Sequence, residues 1–172
     1  RKIKICLEDS LLSSELKELY DIQAALNTTT ILAITDTKGK IIFANAKFCE
    51  ISKYSSEELI GKTHKVVNSG YHEPEFFKNL WQTISQGREW RGEIQNRAKD
   101  GSFYWVDTYI IPFLNHQGQP YQYVSIRHDI TNRKLLEHKI QQQLIIDTVT
   151  GLPNTHYLKT YIEKLISLNE EM

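Results

Sequence analysis

Trp90-Arg91-Gly92-Glu93-Ile94-Gln95-Asn96, then the turn Lys99-Asp100-Gly101 and the run Phe103-Tyr104-Trp105, is the stretch that decides the fold. Alternation along its first part predicts a strand with Trp90, Gly92, Ile94 and Asn96 on one face and Arg91, Glu93, Gln95 and Arg97 on the other. The turn residues send the chain back antiparallel. Asn96 therefore falls on the apolar face. A buried carboxamide left without a partner costs on the order of 1–3 kcal/mol, so an internal polar group or a bound ligand is expected beside it.

Working outward, Pro74 opens a helix whose Phe77, Leu80, Trp81 and Ile84 form one apolar stripe. Further upstream, Ile31 to Thr35 reads as a strand, Asp36-Thr37-Lys38-Gly39 as a turn, and Lys40 to Ala44 as its hairpin partner. Asn45 can cap a short helix over Ala46 to Ser52, and Ser55-Ser56-Glu57-Glu58 starts another. Gly61 to His72 reads as a loop. Downstream, strands are expected over Glu89 to Ala98, Ser102 to Phe113 and Tyr121 to Ile130. Two strands, a helical interlude and three antiparallel strands predict an α+β domain over 27–130, one sheet with helices on one face.

Both flanks read as helices. In 1–26, Leu12, Leu16, Leu19, Ile22 and Leu26 recur every three or four residues from Ser10 onward. This amphipathic helix either packs on its own domain or dimerises as a coiled coil, since Leu12, Leu19 and Leu26 repeat every seven. In 131–146, Leu136, Ile140 and Leu144 give a second amphipathic helix, read as an interdomain connector. Residues 147–172 form a third segment, with a turn at Asp147 to Asn154 and a helix from Tyr157 to Leu168.

The 172 residues carry 24% charged and 40% hydrophobic side chains, the balance of an ordinary globular protein. Twenty-one basic and 21 acidic residues cancel, so no global field favours nucleic acid or an anionic membrane. Cys6 and Cys49 lack metal-site or disulfide-framework spacing, which fits a reducing cytosol. No run approaches the roughly 18 apolar residues that span a bilayer, and no secretory signal opens the chain. The absence of an initiating Met reads as a piece of a longer protein. No hydrolase, metalloprotease or phosphate-loop motif is present. Asp107 shares a strand face with Phe103 and Trp105, but no second titratable group beside it is visible to make it a general base.

Several motifs together resemble a PAS domain: Ile42-Phe43-Ala44-Asn45, Tyr54-Ser55-Ser56-Glu57-Glu58-Leu59-Ile60-Gly61-Lys62, Trp90-Arg91-Gly92-Glu93, Asn96-Arg97-Ala98-Lys99-Asp100-Gly101 and Asp129-Ile130-Thr131-Asn132-Arg133-Lys134. They look most like the flavin-binding branch, which includes aerotaxis receptors and the redox sensor of nitrogen-fixation regulation. There a tryptophan on the long helix precedes an asparagine on the next strand at the separation of Trp81 and Asn96. The resemblance implies a five-stranded antiparallel sheet in the order 2-1-5-4-3 and a pocket between its inner face and the helices. It further implies that Trp81, Asn96, Asn45 and the His64 to His72 loop, with Asn68 and Ser69, line or edge that pocket around FAD. Trp90 faces inward by alternation and joins the candidate set. Read alone, Trp81 is a core aromatic, Asn45 serves equally as helix cap or ligand contact, Trp90 packs the core, and His64 and His72 are solvated loop residues. Haem is the alternative cofactor, with His72 as a poorly placed axial candidate, and an empty dimerisation module is the other.

Residues 147–154 resemble the opening of a GGDEF diguanylate cyclase domain, through Asp147, Thr150, Gly151, Leu152, Pro153 and Asn154, with Val149 and Thr155 departing from it. The resemblance implies a sensor that is not itself catalytic, regulating a cyclic-di-GMP output domain, and the apolar stripes of Ser10 to Leu26 and Arg133 to Ile146 lead to the expectation of a homodimer through the flanking helices.

Overall fold

The computed structural model describes residues 17, 21, 24, 25, 27–145, 150–155, 157–159, 161 and 162. The helix expected over Ser10 to Leu26 lies largely outside them, as do Asp147, Val149 and most of the helix expected over Tyr157 to Leu168. The chain divides into two units at Ile130/Thr131, and each is described by itself.

The first unit is a five-stranded antiparallel sheet in the order β2-β1-β5-β4-β3, the order the family resemblance implies. The strands are β1 (Ile31–Asp36), β2 (Ile41–Ala44), β3 (Trp90–Arg97), β4 (Phe103–Leu114) and β5 (Pro120–Asp129). Helices α1 (Ala46–Ser52) and α2 (Ser56–Leu59), a single 3-10 turn (His64–Val67) and helix α3 (Pro74–Ser85) fill the span between β2 and β3. The 3-10 turn lies inside what reads as a loop. The hairpin β3–β4 pairs Trp90 with Ile110 through Arg97 with Phe103. Strand β4 then pairs along its length with β5, and β5 with β1.

Period-two burial holds across the sheet. Ile31, Ala33 and Thr35 of β1, Ile94 and Asn96 of β3, Tyr104, Val106, Thr108 and Ile110 of β4, and Tyr123, Ser125 and Arg127 of β5 all turn inward and are buried. Against them pack Phe48, Leu59, Val67, Leu80 and Ile84 from the helical side. At about 25 cal/mol per Å² of apolar area removed from water, these large side chains supply the main cohesion of the layer.

Asn45 fixes where the chain leaves the sheet to build the helical layer. Its Oδ1 accepts from the Phe48 N–H, capping α1, and from the Leu32 N–H of β1, both at 3.0 Å. Its Nδ2 donates to the Thr30 carbonyl at 2.8 Å. Helix α2 starts with a reciprocal capping box between Ser55 and Glu58. Lys53, at φ 61°, closes α1 in the left-handed region.

In the second unit, helix α4 (Thr131–Ile145) follows β5 after one residue. Leu135 and Ile145 are exposed as well as Leu136 and Ile140, so its apolar surface is broader than the single row read from the sequence. No described helix is long and apolar enough to cross a membrane.

Asn45→Ala removes a helix cap and leaves a strand N–H and a carbonyl without partners. It should lower unfolding stability by about 2–3 kcal/mol in urea titrations followed by circular dichroism. A loss well under 1 kcal/mol would show that the junction does not depend on this side chain.

Candidate functional site

Between the inner face of the sheet and the helical layer lies a cavity of ≈ 440 Å³, within the roughly 300–1,000 Å³ range of small-molecule sites. One wall is the apolar stripe of α3, Phe77, Leu80, Trp81 and Ile84. The opposite wall is sheet: Ile94 and Asn96 of β3, Ile110 of β4, Tyr123, Ser125 and Arg127 of β5, and Thr35 of β1. Thr63, His64, Lys65 and Asn68 form a third side, and Lys38 and Gly39 of the β1–β2 turn lie at the fourth.

Trp81 is held by what surrounds its indole. Tyr123 meets it edge-on, with ring centroids 5.9 Å apart. Gly39 lies so close that a Cβ there would stand 2.7 Å from the ring. That glycine sits at φ 77° in a turn organised by Asp36, whose Oδ1 accepts from the N–H groups of Lys38 and Lys40 at 2.9 and 2.8 Å. Glycine is required on both counts, left-handed backbone and ring approach.

Asn96 is buried on the cavity wall. Directly opposite it in the β3–β4 register is Tyr104. That hydroxyl has no hydrogen bond of proper geometry, although the Asn96 amide acts on it; burial, the larger influence, pushes the phenol well above its ordinary range. The strand carrying Asn96 is the sheet's edge, and residues 68–72 close that edge. Asn68 bridges to Asn96, Ser69 Oγ donates to the Gln95 carbonyl at 2.7 Å, and the Gln95 N–H donates to His72 Nε2 at 3.0 Å. At Gln95 the edge strand's outward N–H and carbonyl are thus both covered by the chain itself.

The solvated-loop reading of the two histidines is corrected here. The His72 ring stacks on Phe76, centroids 4.2 Å apart, and meets Tyr71 and Trp105 edge-on. It is not on the cavity wall, and its Nε2 already accepts a backbone hydrogen bond. His64 is on the wall, stacked against Phe48 with centroids 5.8 Å apart. Its Nε2 lies 2.7 Å from Arg127 Nη2. Because a guanidinium only donates, that nitrogen is the acceptor and the ring is neutral. Burial, and the neighbouring cation after it, hold His64 well below the usual histidine range.

The remaining candidates separate. Asn68 lines the cavity, its Oδ1 accepting from the Gly70 N–H at 3.0 Å. Asn45 and Ser69 lie off the wall with their polar atoms committed to the backbone. Trp90 is buried outside it, its Nε1 donating to Asn79 Oδ1 at 3.2 Å, so it ties β3 to α3. On the outer face Asp107 does have a titratable neighbour: Arg91 Nε and Nη2 donate to its two oxygens at 3.2 and 2.7 Å. That fork holds the Asp107 carboxyl below its ordinary range and removes it as a base.

Arg127, Lys38 and Lys65 are the residues sequence reasoning missed. All three border the cavity, and no Asp or Glu does. The wall is cationic although the chain as a whole is neutral. No cluster of three or more potential metal ligands occurs among the described residues.

A histidine kept neutral by the fold makes stability pH-dependent in one direction. Below the ordinary value of 6.5 the unfolded chain takes up the proton that folded His64 refuses, so stability falls as pH drops from 6.5 toward 5. His72, lowered by burial, adds to the same slope. His64→Gln keeps an acceptor for Arg127 and cannot titrate, so its stability between pH 7 and 5, by urea titration, should fall less than that of the native chain. Parallel curves would show that His64 is not held neutral.

Residues 28–132 match the sequence profile of the family described as PAS domain. Among curated proteins, the nitrogen fixation regulatory protein of Klebsiella pneumoniae is 32% identical over 115 residues, which is 67% of this chain and 23% of that protein. The aerotaxis receptor of Escherichia coli (strain K12) is 33% identical over 107 residues, 62% of this chain and 21% of the receptor. This chain thus spans less than a quarter of the length of either relative. Among solved structures, an RNA-binding light-oxygen-voltage receptor superposes with a TM-score of 0.64 at 20% identity, over 78% of this chain and 37% of that one, a likeness of fold. The PAS domain of a protein from Colwellia psychrerythraea gives 0.55 at 26% identity, over 67% and 98%. The sheet order, the helical layer over its inner face and the profile match across residues 28–132 agree, and the chain belongs to the PAS family of sensory domains.

Proposed function

We propose that the chain is a flavin-binding PAS sensor, with FAD as its cofactor, which regulates a C-terminal output domain. The observation that carries this reading is the cavity itself: an apolar slot between the α3 stripe and the sheet, with an aromatic wall at Trp81, a buried carboxamide at Asn96, and cations but no carboxylates around it. These residues fit the group. A flat heteroaromatic ring needs apolar faces and a few polar contacts at its rim, and a dinucleotide's phosphates need cations, for which Lys38 and Lys65 stand exposed. Bound there, the flavin would supply reversible two-electron redox chemistry. Likeness to an aerotaxis receptor supports an oxygen-linked signal, to which a flavin's redox state would respond. No observation favours haem: His72 has its Nε2 engaged and stands off the cavity wall.

The output reading rests on sequence. Residues 147–172 are proposed to begin a diguanylate cyclase domain, 131–146 to connect it, and 1–26 with the connector to pair two chains as a homodimer in the cytoplasm. Strand β5 carries Arg127 and ends at Asp129, and α4 begins at Thr131. A change in what Asn96 and Arg127 bind alters the sheet at the strand that leads into the connector, and the dimer's helix pairing is the two-state element biased.

Mixed with FAD and desalted, the chain should be yellow, with the structured visible absorption of a bound flavin. Trp81→Ala and Asn96→Ala should lose the colour while keeping the native circular dichroism. A colourless native chain, or full retention by both variants, would overturn the reading.

A further inference from the structure

The least expected group in this fold is Arg127. It is 94% buried by complement of its 6% exposure, and it lies in the middle of the sheet, opposite Thr108 on β4 and Ile31 on β1. No acidic side chain among the described residues pairs with it. Its neighbours are the neutral His64 ring, which accepts from Nη2, the face of Phe48, 5.3 Å from Cζ to ring centroid, and the buried Tyr104 phenol, which acts on it electrostatically but carries no charge at neutral pH. Nη1 has no partner among the described residues, nor does the Oγ1 of Thr108. Buried cations are ordinarily paired, because removing a charge from water costs several kcal/mol. Even with burial pushing its pKa down to about 10, the guanidinium stays protonated at neutral pH.

We propose that Arg127, with His64 behind it, is the anchoring subsite of the cavity for an electron-rich oxygen of the ligand, a carboxylate, a phosphate or a ring carbonyl. The proposal deepens the sensory-pocket reading and rests on it in taking the cavity as the ligand site, but not on the ligand's being a flavin. His64 is the positioning residue: as a neutral acceptor it consumes one N–H of the fork and leaves the charge uncompensated. A carboxylate in its place would satisfy the guanidinium and abolish the subsite. The cavity wall agrees, since Lys38 and Lys65 add positive charge and nothing acidic faces them there. Two chemical sources could deliver the oxygen, the carbonyl edge or phosphate of FAD and a free small anion, and they are separable.

The test compares native chain, Arg127→Met and Arg127→Lys by thermal unfolding, alone and with FAD, succinate or inorganic phosphate. A charge kept for a ligand burdens the empty fold. Arg127→Met, similar in length and apolar, should therefore unfold at the same or a higher temperature than native when no ligand is added. With ligand, native should gain stability and Arg127→Met should bind at least ~10-fold more weakly, the loss of one charge-assisted contact, with Arg127→Lys between them. Stabilisation by FAD identifies the flavin as the source. Stabilisation by succinate or phosphate without FAD leaves the subsite standing and ends the flavin reading. The proposal is overturned if Arg127→Met markedly lowers the unfolding temperature of the ligand-free chain, which assigns the guanidinium to the core, or if no probe stabilises native more than Arg127→Met.

Discussion

The free edge of β3 is where the cavity of this domain is decided. An edge strand exposes alternate N–H and C=O groups, and here residues 68–72 take them up through the Asn68 bridge, the Ser69 hydroxyl and the His72 ring. The consequence reaches in both directions along the chain. Toward the N-terminus the closure holds the 3-10 turn that carries His64 against Phe48. Toward the C-terminus it sets the start of α3 at Pro74, and so the rotation of the stripe from Phe77 to Ile84 over the sheet. Without the closure, both helical-side walls would lose their anchor to the strand bearing Asn96.

The interior so enclosed is not a uniform hydrophobic core. Apolar packing is concentrated where α1 and α2 cover the β1–β2 side, with Ile41, Phe48 and Leu59 almost wholly buried. The centre of the sheet carries Thr35, Thr108, Ser125 and Arg127 instead. Ser125 is satisfied by the Ala33 carbonyl at 3.1 Å, while the Thr108 hydroxyl and one arm of Arg127 are not satisfied by protein. Replacing such groups by apolar residues of similar volume is often neutral or stabilising. A polar centre held against that tendency marks a surface shaped for something other than cohesion.

How far the sequence discloses this depends on whether local patterns and burial agree. They agree in β3, where Trp90, Ile94 and Asn96 are inward as alternation predicts, and at Asn45, Ser55 and Pro74, where cap chemistry sets helix starts. They disagree in β5. Its Val124 and Ile126 are the apolar residues, yet Tyr123, Ser125 and Arg127 face the interior. Hydropathy alternation read there assigns Arg127 to solvent, because the outer face at β1 and β5 is itself apolar, with Leu32, Ile34, Val124 and Ile126 on it. Read from the residues alone, His64 and His72 fall in solvent for another reason, and only the family resemblance brings their loop to the pocket: both lie in a stretch without periodicity, ordered by partners in sequence as distant as Arg127 and Gln95. No local signal carries a contact of that range. Gly39 was legible as a turn residue, but not as the floor under Trp81.

Magnitudes limit what any one of these contacts can do in signalling. Moving a two-state element from about 1:99 to 99:1 requires roughly 5.5 kcal/mol of differential binding. A hydrogen bond to a charged group contributes about 1.5–3 kcal/mol, so a change confined to Arg127 shifts such an equilibrium by a factor of only about 10 to 150. A decisive switch therefore needs Arg127 and at least one other polar contact to change together. Asn96 is another polar side chain on the same wall, two strands away in the sheet order. Joined through β4, with Thr108 opposite Arg127 and Tyr104 opposite Asn96, the two contacts address one piece of sheet. A ligand whose electron distribution changes at both ends of a rigid ring can move both at once, whereas a ligand that merely arrives or departs at one end biases the element without committing it.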